Sequence, residues 1–324
     1  MKQSIHNIKQ PVAAELKQFN RLFKESMKSN VPLLNKITYF LVQRKGKQMR
    51  PLFVLLSAKM FGDINEKTYT AASLIELMHT ATLVHDDVVD DAHQRRGFFS
   101  INALWKNKIA VLVGDFLLSK SLTLAIDNKE FSQLENLSST VKAMSEGELL
   151  QIEKARKLDI TEEVYFDIIK AKTASLIKSA CRAGTMSVTN NQTLIDLMGE
   201  IGELVGIAFQ LKDDLFDYGK QQIGKPTGID IQEKKMTLPL IYTLQKVDRE
   251  TKKYILKSIK KHSHKKSRVL EIIDIVKKEG GLTYAISRMN EYKELALVKL
   301  AEVPNSVAKD SFVELIHYTI ERKH

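Results

Sequence analysis

Two carboxylate triplets, Asp86-Asp87-Val88-Val89-Asp90 and Asp213-Asp214-Leu215-Phe216-Asp217, each close an apolar stretch with helical periodicity. On a helix, Asp86 and Asp90 lie one turn apart on one face, and Asp213 and Asp217 repeat that spacing. Acids crowded at the end of a buried face repel one another and resist desolvation unless cations hold them. Carboxylate oxygen is the donor that hard Mg²⁺ prefers, with water and substrate phosphate oxygens completing its shell. Two such clusters facing each other would hold a diphosphate through bridging metals. A solvated acidic face explains one Asp-x-x-x-Asp well, but a second triplet in the same setting weighs against it.

Cations accompany both triplets. Asp91-Ala92-His93-Gln94-Arg95-Arg96-Gly97 follows the first, and paired arginines offer forked donors to phosphate oxygens. Structural ion pairs with the aspartates would use the same two residues. Upstream, Lys45-Gly46-Lys47-Gln48-Met49-Arg50-Pro51 opens an apolar helix, and a helix N-terminus flanked by Lys and Arg suits an anion. Lys172-Thr173 lies mid-helix, Gly224-Lys225-Pro226 forms a loop after the second triplet, and Lys235 follows at Glu233-Lys234-Lys235. Each lysine alone reads as a surface residue. Their grouping beside two metal-type clusters is the informative part.

The elements that position these residues are helices. The chain has 324 residues, 44% apolar and 27% charged, with only 14 Gly and 6 Pro. Scarce turn formers and abundant Leu, Ile, Lys, Glu and Ala favour helix, and few stretches alternate as strands do. The expectation is an all-α, single-domain bundle of roughly ten or more helices. The domain covers 1–324, with the motifs in 44–240, further helices in 241–324, and both triplets at helix ends near one mouth. The apolar segment 109–126 is broken by Asp115 and Lys120 and reads as a buried helix rather than a membrane span. One cysteine, Cys181, excludes an internal disulfide and, with no secretory leader, implies a cytoplasmic protein. A net charge of +11 is compatible with polyanionic partners. Much of it lies in Lys252, Lys253, Lys257, Lys260, Lys261, Lys265, Lys266 and Arg268, read first as a solvated helix face and second as a weak contact to an anionic membrane. No nucleic-acid-binding module accompanies the run, so nucleic acid is not an expected partner.

Taken together, the motifs resemble the trans-isoprenyl diphosphate synthases, or polyprenyl synthetases. The likeness covers residues 44–240 and rests on Gly46-Lys47-x-x-Arg50-Pro51, Asp86 to Arg96, Lys172-Thr173, Phe209-Gln210-Leu211 with the second triplet, and the Gly-Lys-Pro loop. Two departures stand out: Lys45-Gly46-Lys47-Gln48 where the family often has Gly-Gly-Lys-Arg, and Glu233-Lys234-Lys235 where it often has Glu-Gly-Lys.

The resemblance implies an isoprenoid synthase fold around a central apolar cavity and head-to-tail condensation of an allylic diphosphate with isopentenyl diphosphate. It implies about three Mg²⁺ per active site, held directly by Asp86, Asp90 and Asp213, with Asp87, Asp214 and Asp217 supporting. Arg95, Lys172 and Lys235 would hold the allylic diphosphate, helped by Lys225. Lys47, Arg50, His79 and Arg96 would hold isopentenyl diphosphate. Thr173 and Gln210 would flank the allylic carbon, and a homodimer is implied. The family's short-chain members close the tunnel with aromatic residues four or five positions before the first Asp. Here those positions are Thr82 and Ala81. One helical turn rises 5.4 Å, close to one isoprene unit, so small residues there point to a product of about six to nine units. Alternatives are a short-chain farnesyl or geranylgeranyl synthase, a terpene cyclase, and a non-catalytic regulatory subunit.

Overall fold

The computed structural model describes residues 5–43, 48–92, 94–95, 98–219 and 227–321, with the backbone alone for 94, 95 and 98. The elements are overwhelmingly helical: α1 (Ile5–Lys9), α2 (Ala13–Ser26), α3 (Pro32–Gln43), α4 (Met49–Lys59), α5 (Glu66–Val89), α6 (Ile101–Asp127), α7 (Phe131–Lys157) and α8 (Glu162–Ile169). They continue as α9 (Ser175–Met186), α10 (Gln192–Phe216), α11 (Ile229–Gln232), α12 (Leu238–Lys246), α13 (Arg249–His262), α14 (Lys266–Lys278), α15 (Gly281–Ala301) and α16 (Val307–Glu321). The strands among the described residues are β1 (Gln94–Arg95) and β2 (Phe98–Phe99), an antiparallel pair with Gln94 opposite Phe99. The all-α expectation holds.

Chain contacts divide the molecule into two compact units. The first comprises Met1–Val141, Leu176–Gly199 and Val303–Leu315, and α5 is its central helix. Asn65 starts α5 with a capping box: its side chain accepts from Lys67 and Thr68 N–H, and Thr68 Oγ1 accepts from Asn65 N–H. Ala71, Ala72, Ser73, Leu74 and Ile75 are all buried, so α5 is enclosed on every side there, as a core helix must be. Further along, Leu77, Ala81 and Val84 pack with Ile101, Ala110, Val113 and Leu117 of α6. Each fully buried Leu of that layer contributes about 1.5–3 kcal/mol. Phe53 of α4 meets Phe312 of α16 edge-on, with ring centroids 5.5 Å apart.

The expectation of a buried helix over 109–126 needs correction. α6 packs one face on α5, but Val111, Leu112, Leu122 and Ile126 on its other side are exposed. Among the described residues of the unit nothing covers them. By length and composition alone α6 would pass for a membrane span, so its two polar interruptions do not settle that question and its packing on α5 is the better guide.

The second unit comprises Lys142–Ser175, Glu200–Glu302 and Ile316–His324. Its α12 packs against α15, where Tyr242 stacks on Tyr284 at 4.3 Å. The α13–α14 pair closes over Ile255, Ile259, Val269, Ile272, Ile273 and Val276, all buried.

Cys181 of α9 is fully buried in the first unit, and desolvation pushes its thiol up to about 12. At pH 8 almost none of it is thiolate, the reactive form. Iodoacetamide should therefore label folded protein at least roughly a hundredfold more slowly than urea-unfolded protein. Mass spectrometry at matched times checks this, and comparable labelling of both would contradict the burial.

Candidate active site

The first triplet occupies the C-terminal turn of α5. Asp86 is half-buried and Asp87 buried, while Asp90 is the exposed C-cap, its N–H bonded to Asp86 O at 2.8 Å. The turn is anchored by Asn102, which donates to Asp87 O at 3.0 Å, and by Ser100, which donates to Ala92 O at 2.5 Å. His85, next to Asp86, packs over Gly114 of α6, where any Cβ would overlap its ring. His79 lies buried two turns earlier on α5, and Arg50 is half-buried in the first turn of α4, whose N-terminus has no side-chain cap. Ala81 is wholly buried in the α5–α6 layer; Thr82 is half-buried and donates to His79 O at 2.9 Å. Lys47, Arg96 and Lys225 lie outside the described residues, as does the side chain of Arg95.

The second triplet ends α10 in the second unit. Asp213 is half-buried. Asp214 is buried and accepts from Tyr165 Oη at 2.6 Å on one oxygen and from Gln210 Nε2 at 2.7 Å on the other. Asp217 accepts the Ile229 N–H at 2.7 Å and the Asp230 N–H at 3.2 Å, so its carboxylate caps the start of α11. Its expected supporting role therefore includes a structural part. Burial, and then repulsion from Asp213 and Asp217, hold Asp214 well above the usual carboxylate range, against the opposing donation from Tyr165 and Gln210. Asp230 is raised the same way, chiefly by burial, against the opposing charge of Lys235. Lys235 itself is half-buried and paired with Glu233 at 2.6 Å. Lys234, standing where the family often has Gly, adopts φ +61°. That left-handed conformation costs a lysine about 1 kcal/mol and a glycine nothing, which accounts for the family's choice.

Lys172 and Thr173 lie not in regular helix, as their position suggested, but in a π-helical turn over Lys170–Ala174. Such turns widen a helix by one residue and recur at functional sites. Thr173 Oγ1 donates to Gln210 Oε1 at 2.7 Å. Because Gln210 spends its amide N–H on Asp214, the polarity of the whole chain Tyr165–Asp214–Gln210–Thr173 is fixed. The Thr173 hydrogen points at Gln210, leaving the hydroxyl lone pairs for an electron-poor neighbour. Lys172 pairs with Glu148 of α7. The bulged backbone is received by glycines: a Cβ on Gly206 of α10 would press on the Ala174 backbone, and one on Gly147 of α7 on Ala171 and the Lys172 amide. Tyr165, Glu148, Gly147 and Gly206 were missed from the sequence, where lone residues of these types carry no pattern.

Both aspartate motifs sit at the negative end of a helix dipole, and neither α5 nor α10 has a basic residue in its last turn. Acids there are unfavourable by about 0.3–1 kcal/mol each at exposed sites. Among the described residues no three His, Cys, Asp or Glu side chains form a metal-holding group by themselves. Mg²⁺ takes one or two carboxylates together with water and phosphate oxygens, so crowded aspartates of this kind fit it.

An all-α chain with two aspartate-ended helices and a Lys-Thr pair on a π turn has the makings of a prenyl transferase. The polyprenyl synthetase family model matches residues 31–276, and the chain belongs to that family, whose prenyltransferases generally use Mg²⁺. It is 36% identical to the all-trans-nonaprenyl-diphosphate synthase (geranyl-diphosphate specific) of Rhodobacter capsulatus, over 96% of each chain. The crystal structure of a decaprenyl diphosphate synthase from Rhodobacter capsulatus superposes with a TM-score of 0.94 at 32% identity, covering 99% of this chain and all of that one. A geranylgeranyl pyrophosphate synthase from Bacteroides thetaiotaomicron superposes at 0.85 with 36% identity, covering 98% and 99%. The chain is thus an enzyme, a prenyltransferase of the polyprenyl diphosphate synthase type.

Gly206→Ala should displace the π turn, since the added methyl meets backbone rather than a movable side chain. The expected cost is about 1–3 kcal/mol of stability. Turnover should fall by more than that loss of folded protein accounts for. Thermal unfolding and steady-state rates on the same sample check it; full turnover per folded molecule would separate the π turn from catalysis.

Proposed function

We propose that the enzyme condenses an allylic diphosphate with isopentenyl diphosphate, head to tail, to give a long-chain all-trans polyprenyl diphosphate of about six to nine isoprene units. The observation that carries the length is the pair Ala81 and Thr82 on α5, both too small to close a tunnel running back from the first triplet. The nonaprenyl and decaprenyl relatives support a long product. The geranylgeranyl neighbour keeps the shorter one as the competing outcome. The match over 31–276 draws on both compact units, and we take the whole chain as one catalytic domain.

In this reading Asp86, Asp90 and Asp213 ligate Mg²⁺, about three ions per site, with Asp87 and Asp217 assisting. Bound Mg²⁺ would neutralise the diphosphate as its C–O bond ionises. Lys172, Lys235 and Arg95, with Lys225, hold that diphosphate, and Glu148 keeps the Lys172 ammonium aimed until phosphate oxygens replace it. The lone pairs of Thr173, oriented by Gln210, face the allylic cation as it develops. Isopentenyl diphosphate takes Lys47, Arg50, His79 and Arg96. The departing diphosphate is the proton acceptor that ends each cycle, since no His/carboxylate pair is assigned to that task.

We further infer a homodimer through the uncovered face of α6, and a cytoplasmic enzyme, consistent with a single free thiol. The exposed apolar side chains Val111, Leu112, Leu122 and Ile126 mark an association surface. Leu112→Asp should shift the protein from dimer to monomer in light scattering at micromolar concentration; an unchanged mass would place the interface elsewhere.

Product length tests the function directly. With Mg²⁺ and both substrates, chromatography of wild-type product should give the long chain, and Ala81→Phe should give about three or four units by filling the tunnel. Circular dichroism must show the variant folded. The same long product from both proteins would overturn the assignment of the tunnel to Ala81, and a short wild-type product would overturn the long-chain reading.

A further inference from the structure

Residues 251–270 contain eight Lys or Arg and no Asp or Glu. They account for most of the chain's net charge of +11. The structure folds them into the outer face and tip of the α13–α14 hairpin. Lys253, Lys257, Lys260 and Lys261 project from α13 opposite its buried Ile255 and Ile259, Lys252 lies in its first turn, and Lys265 and Lys266 start α14, all seven exposed. Among the described residues none of the seven is in an ion pair. Of the nearby acids, Asp248 caps α13 by accepting the Glu250 and Thr251 N–H groups, Glu271 pairs with Arg268 at 2.8 Å, and Glu250 lies in the first turn of α13, at the end away from the tip. Arg268 also lies over the Tyr254 ring at 5.4 Å, so it stitches the hairpin and leaves the lysines to face outward. Exposed Leu270 adds an apolar contact at the same tip.

Solubility alone would be served by mixed charge. A single-sign patch without acids instead matches a surface of dense negative charge. We propose that the α13–α14 hairpin docks the enzyme on an anionic lipid bilayer. Lysine ammonium groups act as mobile point charges suited to a fluid field of lipid phosphates, whereas nucleic-acid recognition favours Arg forks and stacking aromatics. Here the one Arg and the one Tyr are bonded to each other and to Glu271. The hairpin also backs the second aspartate motif: Gly228, whose N–H bonds Asp217 O at 3.0 Å, rests on Val269 and Ile273 of α14. The bilayer contact is thus one helix away from the end of the site that handles diphosphate. An enzyme releasing a polyprenyl diphosphate needs a bilayer to receive it. That rationale rests on the long-chain reading, although vesicle binding itself does not.

Flotation of the full chain with vesicles tests the idea. Protein should float with phosphatidylcholine vesicles containing about 30 mol% phosphatidylglycerol, and not with phosphatidylcholine alone. Binding should fall at least about tenfold between 0.1 M and 0.5 M salt, because exposed charges are screened. The variant Lys257→Glu, Lys260→Glu, Lys261→Glu, Lys265→Glu should lose the binding while releasing diphosphate from soluble substrates at the wild-type rate. Absence of wild-type binding, or equal binding by the variant, would overturn the proposal. So would random-sequence RNA displacing the protein from vesicles at equal phosphate concentration, which would make the patch a nucleic-acid surface. Failure here leaves product length untouched, so the two readings fall separately.

Discussion

Negative charge packed where it is least welcome governs this molecule. Asp213, Asp214, Asp217 and Asp230 share one corner of the second unit, partly or wholly out of water, at the carbonyl end of α10. The protein neutralises part of that charge itself: Tyr165 and Gln210 donate to Asp214, and the start of α11 donates to Asp217. Half-buried Asp213 stands beside them on the same turn, and so many acids in one place suit Mg²⁺ and the phosphate oxygens it brings. The first unit poses the same problem in milder form at the end of α5, with Asn102 and Ser100 bracing the turn rather than the carboxylates.

The donors around Asp214 do more than relieve it. Each fixes the next, so that a buried phenol decides which way an amide points and the amide decides which way a hydroxyl points. The far end of that chain is Thr173, on the π turn. The buried carboxylate and the Thr173 hydroxyl are therefore two ends of a single hydrogen-bonded line, and a change at Tyr165 reaches a residue it does not touch.

The triplets stood out because carboxylates at one-turn spacing at the ends of apolar helices have few other reasons to be there, whereas Lys172-Thr173 and Gln210 were picked out only through the family resemblance. The all-α class was legible from composition. Tyr165 was not, since it meets Asp214 across 49 positions and looks like any aromatic in an amphipathic helix. Gly147 and Gly206 were equally silent: each is a single glycine in a helix, and its reason is a bulge in a different helix. The π turn left no mark in periodicity because one extra residue over a single turn is smaller than the noise of the pattern. Burial of 109–126 was misjudged because an apolar helix is apolar whether its second face meets its own chain or nothing in it.

A π turn is one residue too many, held in place by its surroundings. Residues on a helix are spaced about 100° apart, so deleting any single residue within Lys170–Ala174 would restore regular helix and swing one flank by that angle. Substitutions leave the count of residues alone and can only adjust the site; insertions and deletions here change which side chains face it. The length of the segment joining α8 to α9 thus constrains the site more tightly than any one exposed side chain along it.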